Sequence, residues 1–409
     1  MKHIPPAELG SGSVASTHAA APYGAALAEF ALAMGGLALG TGEFAAMGLI
    51  PSVASGVGVS IPEAGNVISA YAIGVVVGAP LITVLMAKAP RRAMLIGLMA
   101  VLAVANAATA FAPAYLPLIV ARFLAGLPHG AYFGIASLVA ADLAGPGGRA
   151  QAVGRVMLGL SIANVVGVPV ATWFGQALGW RAAFLAIAAL GLLTSALVTI
   201  FVPIVPVEAS ASPLRELQGL KQAQVWLTLA IGAVGFGGLF AVYSYITPTL
   251  TQVAHVPLAE VPLYLSLTGV GMIAGSLAGG WFADRSIMAT IFGGLVWSAV
   301  TLALFTITSA HPWTAAVNVF LIGASIAVVP ALQTRLMDAA PGAQTLAGAL
   351  NHSALNIANA FGAWAGGMAI DAGFGWTSAG WIGAGLALAA LPFFGISMAL
   401  ERGKAHAGA

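Results

Sequence analysis

Glu43 is an ionisable residue inside a long apolar stretch of this sequence. Between residues 25 and 51 the only other charge is Glu29. If such a stretch crosses a membrane, an ionised side chain costs about 2.5–3.5 kcal/mol to insert and commonly faces a cavity or a bundle interior. A carboxyl group removed from water holds a proton more strongly and can exchange it near neutral pH. Glu43 is therefore our candidate for proton binding and release, and a permanent ion pair is the alternative.

Arg122 and His129 are two further ionisable residues in an apolar stretch. They share one helix face because about two turns separate them. At a rise of about 1.5 Å per residue, Arg122 and Glu43 each lie about 9–12 Å from the end of their helix. A pair between them would favour the charged carboxylate, and we hypothesise that substrate or a conformational change alters this pair. The alternative is that Arg122 clamps helices through backbone carbonyls. His129 is a candidate proton relay, although the surrounding GLPHG favours a packing histidine at a kink.

A polar stripe marks one apolar stretch near the C-terminus, where His352, Asn356 and Asn359 follow each other at i, i+4 and i+7. Polar groups in lipid need a partner on a neighbouring helix or a water-filled cavity. We favour cavity lining and substrate binding, with helix–helix hydrogen bonds of about 0.6 kcal/mol each as the alternative. Asn164 holds the corresponding place in the first half of the chain. Weaker substrate candidates are Tyr71, Tyr243, Tyr245, Tyr264, Asn66 and Asn106.

The sequence contains no motif of an enzyme or of an ATP-driven machine. Neither a G-x-x-x-x-G-K-[ST] phosphate loop nor an H-E-x-x-H zinc motif occurs. Cysteine is absent, which excludes disulfides and thiolate metal sites. We therefore expect no catalytic residues, no metal and no cofactor.

The composition makes lipid the main solvent of this chain. Of its 409 residues, 60% are hydrophobic and 6% are charged, and the mean hydropathy is +0.99. A soluble domain carries about 25% charged residues, so this sequence cannot build a soluble surface. The net charge of +2 does not suggest nucleic-acid binding.

Twelve apolar stretches are long enough to cross about 30 Å of hydrocarbon as helices. They lie near 25–50, 64–86, 93–111, 116–140, 151–177, 182–203, 225–247, 261–282, 287–308, 312–334, 343–370 and 376–400. The expected domains are a disordered tail at 1–22, a six-helix bundle at 23–203, a linker at 204–224, a second six-helix bundle at 225–400 and a tail at 401–409.

The distribution of Lys and Arg predicts the orientation of these helices. If the N-terminus is cytoplasmic, every Lys and Arg except Arg122 and Arg181 lies in or next to the cytoplasm. The positive-inside rule favours this orientation over its reverse.

The two halves of the chain repeat each other. SIANVVG at 161–167 matches NIANAFG at 356–362, a spacing of 195 residues, and Asp142 matches Asp338 at a spacing of 196. Glycines recur after 197 residues at Gly74, Gly78 and Gly126. Because six helices separate the copies, both halves have the same orientation. Parallel repeats of this kind build transporters whose substrate site lies between the halves near the midplane.

Four stretches resemble one known family: TGEF at 41–44, VSIPEAGNVISAYAIGVVVGAP at 59–80, ARFLAGLPHGAYFG at 121–134 and GLSIANVVGVP at 159–169. They are similar to the major facilitator superfamily, specifically its twelve-helix drug:proton antiporters and arabinose-efflux-permease-like members. The resemblance spans nearly the whole chain. It implies an all-α membrane protein of the major facilitator fold, located in a bacterial inner membrane, that exports small molecules in exchange for protons.

Three motifs of the superfamily can be placed on this sequence. The loop after the second helix usually reads G-x-L-A-D-R-x-G-R-R but here reads TVLMAKAPRR at 83–92, so Ala87 replaces the aspartate. The repeat copy GWFADR at 280–285 keeps Asp284 and Arg285. The other two motifs are represented by Arg122 and Gly126 in the fourth helix and by Gly159, Gly167 and Pro169 in the fifth.

Charged residues at the cytoplasmic helix ends are candidate gates. We expect Asp142 and Asp338 to form inter-helix salt bridges with the basic motif residues Lys88 and Arg285. These bridges would hold the outward-facing state until they break, and solvated surface charges are the alternative. The predicted gating set is Arg91, Arg92, Asp142, Asp284, Arg285 and Asp338.

These observations predict a proton-coupled exporter of drugs or sugars that works by alternating access. Its expected partners are a small-molecule substrate, protons and the lipid bilayer, without nucleic acid, and we expect a monomer with both termini in the cytoplasm. One clear carboxylate in an apolar wall suits neutral or cationic amphiphiles better than phosphorylated anions. The alternatives are a proton-coupled importer of sugars or amino acids, and a non-transporting receptor or scaffold, which would need a large soluble domain.

Overall fold

The computed structural model describes residues 22–85, 89–144, 149–204, 221–340 and 344–407. Within these ranges all regular secondary structure is helical and forms twelve units that match the twelve predicted stretches. In chain order they are α1 (Pro22–Val57), α2 (Ile61–Leu85), α3 (Arg91–Phe111), α4 (Tyr115–Gly126 and Pro128–Ala144), α5 (Arg149–Ile162 and Val168–Leu178, joined by the π-turn Ala163–Gly167), α6 (Trp180–Phe201), α7 (Ala223–Gly235, Gly237–Ser244 and Ile246–Gln252), α8 (Val261–Ala283, after the 3-10 turn Leu258–Glu260), α9 (Ile287–Thr308), α10 (Pro312–Gly323 and Val328–Ala339, joined by the 3-10 turn Ala324–Ala327), α11 (Gln344–Ala369, followed by the π-turn Ile370–Phe374) and α12 (Ser378–Ala389 and Leu391–Ala407).

Eleven of the twelve units are long and apolar enough to cross a membrane, counted over the ranges just given. The remaining unit is α11, which has 26 residues. At a rise of about 1.5 Å per residue it is long enough to cross, but the polar stripe that contains His352, Asn356 and Asn359 lowers its hydropathy. The least apolar helix is thus the one that the sequence marked as a candidate cavity wall.

Several predicted regions lie outside the described residues or across their edges. These are most of the N-terminal tail, most of the linker at 204–224, Ala87 and Lys88. The last helix continues to Ala407, beyond residue 400. The proposed domain limits stay a prediction.

Repeated glycines bring the helices of each half into backbone contact. A Cβ atom at Gly74 or Gly126 would collide with a backbone oxygen across the α2–α4 contact, of Phe123 and Tyr71 respectively. The same holds across the α8–α10 contact for Gly271, Gly275 and Gly323, which meet the backbone oxygens of Phe320, Ala324 and Thr268. The glycines that recur at a spacing of 197 residues are therefore equivalent packing positions in two parallel repeats.

The apolar cores show where the two halves meet. We call the membrane side on which α1 begins the near side and the opposite side the far side. One core joins the halves in the far part of the protein and includes Phe44 of α1 and Phe240 of α7. The near part of the first six helices has a separate core with Leu32, Leu98 and Tyr132. The halves are thus packed together on the far side in this conformation.

Hydrogen bonds also cross between the halves on the far side. The hydroxyl of Ser69 in α2 donates to the carbonyl of Ala360 in α11 at 3.0 Å. The hydroxyl of Thr247 in α7 donates to the carbonyl of Gly48 in α1 at 3.1 Å. These bonds tie the far ends of α1 and α2 to the second half of the chain.

The π-turn in α5 places Asn164 at a crossing of the two halves. Ser266 of α8 donates a hydrogen bond to the carbonyl of Val165, inside this turn, at 3.1 Å. Gly269 of α8 lies against the backbone of Asn164, where a Cβ atom would clash. Single π-turns within α-helices are frequent at functional sites, and this one lies in the SIANVVG segment of the internal repeat.

Candidate functional site

Glu43 lies near the middle of α1 and faces both halves of the protein. Its side chain is buried, with the whole residue only 4% exposed. The Nδ2 group of Asn359 in α11 donates a hydrogen bond to its Oε1 at 3.0 Å. Nδ1 of His129 in α4 lies 3.6 Å from its Oε2. One carboxyl group thus connects a helix of the first half with a helix of the second.

His129 extends this contact to Tyr71 in α2. The Tyr71 hydroxyl lies 3.1 Å from Nδ1 of His129, and the tautomer of the imidazole decides which of the two donates. The same hydroxyl lies 3.4 Å from the carbonyl of Leu39. All these groups are buried. Asn359, Glu43, His129 and Tyr71 therefore form a continuous polar chain from α11 through α1 and α4 to α2.

Arg122 lies beside this chain without joining it by a hydrogen bond. Its guanidinium lies over the ring of Tyr71, 4.6 Å from the centroid, and near the ring of Phe184 at 5.2 Å. Such cation–π contacts stabilise a buried cation. None of its three nitrogens has a hydrogen-bond partner among the residues that the structure describes. The hypothesised pair between Arg122 and Glu43 is not formed in this conformation; Asn359 and His129 are the neighbours of the carboxyl group instead.

The predicted substrate residues divide into a group at the interface between the halves and one residue apart from it. Asn164 and Asn356 are buried, and each uses its Nδ2 group on a carbonyl of its own helix at 3.0 Å. The Oδ1 atoms of Asn164, Asn356 and Asn359 have no hydrogen-bond partner in the described part of the chain. These three amides therefore keep acceptor capacity that a ligand could use.

Aromatic rings continue the interface on either side of the polar chain. Tyr243 meets Phe44 edge-on, with ring centroids 6.2 Å apart. On the near side, His352 stacks on Phe133 of α4 at 6.1 Å. Tyr264 does not join this group through the contacts described; its hydroxyl donates to the carbonyl of Pro312 at 3.2 Å, within the second half.

Some of the predicted gating residues make contacts other than the predicted ones. Asp142 forms a salt bridge with Arg91. Its expected partner Lys88 lies outside the described residues. Arg92 donates to the carbonyl of Thr199. The predicted bridge between Asp338 and Arg285 is not formed.

Arg285 instead donates to the carbonyl of Trp281 at 2.7 Å, and its guanidinium lies 3.2 Å from the centroid of the Trp281 ring. Asp284 and Asp338 line the same near-side cavity as Arg285, which has a volume of about 610 Å³. In this conformation the second-half gating residues thus share a cavity rather than an ion pair.

Comparison with known proteins identifies the family. The family model of the Major Facilitator Superfamily matches residues 32–343. This chain belongs to the major facilitator superfamily.

Relatives within the superfamily span nearly the full length of the chain. The inner membrane transport protein YdhP of Escherichia coli is 43% identical over 364 residues, which cover 88% of this chain and 93% of YdhP. A chloramphenicol resistance protein of Streptomyces lividans is 33% identical over 343 residues, covering 81% of this chain and 86% of that protein. The solved structure of a D-xylose-proton symporter superimposes with a TM-score of 0.69 at 18% identity, covering 89% and 96% of the two chains.

Membership of the superfamily confirms the family and fold predicted from the sequence. The protein is a multi-pass inner-membrane transporter of small molecules and not an enzyme. Its fold is the major facilitator fold of two parallel six-helix repeats.

Two charged clusters of this transporter were not singled out from the sequence. Arg335 on the near side donates to Ser397 at 2.5 Å and to Gln224 at 3.1 Å, and forms a salt bridge with Glu401 at 3.0 Å. Near the start of α1, Arg155 makes two hydrogen bonds to Glu29, at 2.5 and 3.0 Å. The sequence does show Glu29 and Arg335 beside apolar stretches. It does not indicate their partners, because the partner of each lies more than 60 residues away in sequence.

Proposed function

We propose that this transporter exchanges protons for a small molecule across the inner membrane, exporting the molecule by alternating access. The observation that carries the proposal is the position of Glu43 between the halves. Its carboxyl group accepts from Asn359 in α11 and lies beside His129 in α4. An ionisable group that contacts both moving halves can link its protonation to their separation.

Protonation of Glu43 changes what the carboxyl group can do at this interface. The ionised form only accepts hydrogen bonds, whereas the protonated form carries one donor. The hydrogen bond from Asn359 to an ionised oxygen is charge-assisted, so it is stronger than a bond between two neutral groups. Loss of the charge weakens this link between α1 and α11. By thermodynamic linkage, a conformation in which Asn359 no longer donates to Glu43 must in turn alter the proton affinity of Glu43.

His129 and Tyr71 supply a short route for the proton inside the first half. The imidazole Nδ1 lies 3.6 Å from Glu43 and 3.1 Å from the Tyr71 hydroxyl, so this one nitrogen can exchange a proton with either group. Arg122, above the Tyr71 ring, disfavours a further positive charge nearby. We infer that Arg122 thereby helps expel the proton towards Glu43 or solvent.

The lining of the interface supports a neutral or cationic amphiphile as substrate. The free acceptor atoms of three buried amides suit hydrogen-bond donors, and the rings of Phe44 and Tyr243 suit an apolar or aromatic body. Among the described residues, the ionisable groups at this level are Glu43, Arg122 and the two histidines. One arginine, already covered by the rings of Tyr71 and Phe184, does not make the clamp of several Arg or Lys that a phosphorylated anion requires. The name of the chloramphenicol resistance relative agrees with a drug-like substrate and with export.

We further infer that the near side is the cytoplasmic side and that one copy of the chain is a complete transporter. Support for the orientation comes from Arg91, Arg285 and Arg335, which lie at near-side helix ends as the positive-inside rule requires. Support for a monomer comes from the interface itself, because both halves that build it belong to one chain.

The test uses proteoliposomes that contain a pH-sensitive dye. Wild type, Glu43→Gln and Glu29→Gln are compared while chloramphenicol-like drugs, cationic dyes, pentoses and nucleosides are added in turn. Glu29→Gln is the matched control, since it makes the same change in the same helix at a carboxylate paired with Arg155. We expect substrate-dependent proton flux in wild type and in the control, and none in Glu43→Gln. Flux that persists in Glu43→Gln would place the proton site elsewhere.

A further inference from the structure

A membrane-facing groove runs between α8, α9 and α10 in the near half of the protein. Its volume is about 570 Å³ and its walls are apolar, with Ala278 of α8, Gly293 and Trp297 of α9, and Phe320 of α10 among the lining residues. Large apolar side chains beside it are exposed, Leu277 at 72% for example. In a membrane protein such a surface faces lipid.

The groove exists because α8 packs on α10 rather than on α9. Gly275 and Gly279 of α8 touch the 3-10 turn of α10 so closely that a Cβ atom would meet the backbone oxygens of Ala324 and Ala327. The neighbouring wall positions on α9 are Gly293 and Gly294. A Cβ atom at Gly293 would meet nothing within 4 Å, so no side chain in the described part of the chain fills the space next to it.

The near end of the groove is polar. Arg285 lies there with Ser286 and Thr290. Its guanidinium is fixed on the Trp281 ring, and one of its N–H groups is used on the Trp281 carbonyl. Arg285 and Ser286 also line the polar near-side cavity of about 610 Å³, together with Asp284 and Asp338. An apolar slot thus opens into a polar cavity at a positioned arginine.

We propose that this groove is a binding site for one membrane phospholipid, with an acyl chain along the slot and the phosphate at Arg285. Arginine matches the geometry of phosphate oxygens and binds them with two parallel hydrogen bonds. Acyl chains surround the whole protein, so apolar burial alone gives no preference for this place. Shape and the arginine–phosphate contact must select the lipid.

The charged residues of the neighbouring cavity indicate which side chain binds the phosphate of the lipid. Asp284 and Asp338 line the polar cavity and not the slot. Arg335, the other cation there, is already paired with Glu401. Arg285 is therefore the phosphate ligand, and the remainder of the head group extends over the polar cavity.

Native mass spectrometry of the delipidated, full-length protein tests the site. The probes are phosphatidylglycerol, diacylglycerol, which has the chains without the phosphate, and inorganic phosphate alone. Gly293→Leu fills the slot where space is open, and Arg285→Gln removes the phosphate ligand. Gly97→Leu is the matched control: Gly97 is exposed on α3, the first-half counterpart of α9, and a Cβ atom there also meets nothing within 4 Å.

We expect wild type and Gly97→Leu to bind a first phosphatidylglycerol alike. Arg285→Gln should bind it at least about tenfold more weakly, as expected for loss of a charged hydrogen bond. Gly293→Leu should bind it at least as weakly, because the added side chain fills the slot. The affinity of wild type for diacylglycerol should be no higher than the affinity of Arg285→Gln for phosphatidylglycerol. Equal binding by Gly293→Leu and Gly97→Leu would overturn the site. Equal binding of diacylglycerol and phosphatidylglycerol to wild type would overturn the role of the phosphate. Inorganic phosphate that binds at Arg285 when phosphatidylglycerol does not would overturn the lipid as its source.

Discussion

Glu43 is held by one neighbour from each half of the protein. Asn359 donates to one oxygen of its carboxyl group, and His129 lies beside the other. Neither contact depends on neighbouring positions in the chain; the two neighbours come from the distant helices α11 and α4. The carboxyl group thus has a hydrogen-bond donor from the other half of the protein and an imidazole from its own half.

Removal of the Asn359 side-chain amide should uncouple proton transport from substrate transport. In Asn359→Ala we expect the proton flux per transported substrate to fall at least about tenfold, because a hydrogen bond to a charged group is worth about 1.5–3 kcal/mol. The measurement is dye-reported proton flux with radiolabelled substrate in the same liposomes. Asn351→Ala is the control on the same helix, since Asn351 donates to Gln333 within the second half. Equal flux ratios in the two variants would contradict the role of Asn359.

Helix contacts at this protein's glycines hold each repeat rigid. In the first repeat, Gly126 of α4 lies on the backbone of Tyr71 in α2, and Tyr71 is also the neighbour of His129 and Arg122. A shift between α2 and α4 would therefore move the polar chain as well as the packing. The second repeat uses Gly323 of α10 in the same way against Thr268 of α8.

Overpacking this contact should destabilise the fold. We expect Gly126→Val to lower the stability by about 1–3 kcal/mol, because the added carbons must push backbone apart. Gly134→Val in the same helix should be nearly silent, since a Cβ atom at Gly134 meets nothing within 4 Å. Thermal unfolding in detergent, followed by intrinsic fluorescence, measures both. Equal shifts in the unfolding temperature would show that the contact is not tight.

The helices could be predicted because apolar length and composition define them. The contacts between the helices could not be predicted. Apolar length located all twelve helices, and the 197-residue spacing located the packing glycines. The sequence placed Arg122 at the depth of Glu43, but the pair also needs both side chains to point at each other. In the structure His129 lies beside Glu43, whereas the Arg122 guanidinium lies on the rings of Tyr71 and Phe184. Arg335 was missed because its partners lie in α7 and α12.

The whole molecule adopts a conformation with its far side closed. The shared apolar core and the bonds from Ser69 and Thr247 tie the two halves together there. The near part of the first six helices keeps a core of its own. Alternating access requires the far-side contacts to open in another state, and Glu43 lies just beneath them.

A reversible cross-link tests this requirement. The natural chain has no cysteine, so the pair Ser69→Cys and Ala360→Cys can be introduced alone. Oxidation of the double variant should lock α2 to α11 and abolish transport, and dithiothreitol should restore it. Each single variant should transport under both conditions. Full transport by the oxidised, fully cross-linked double variant would contradict opening of the far side.

If Glu43 couples the exchange of protons for substrate, the binding of substrate must release protons from the protein. Purified protein in weakly buffered detergent solution is titrated with a substrate found in the liposome screen, while a pH electrode and calorimetry follow the same sample. We expect wild type to release protons as it binds substrate. We expect Glu43→Gln to bind the substrate and to release none. Release from Glu43→Gln equal to that from wild type would show that Glu43 is not the coupling site.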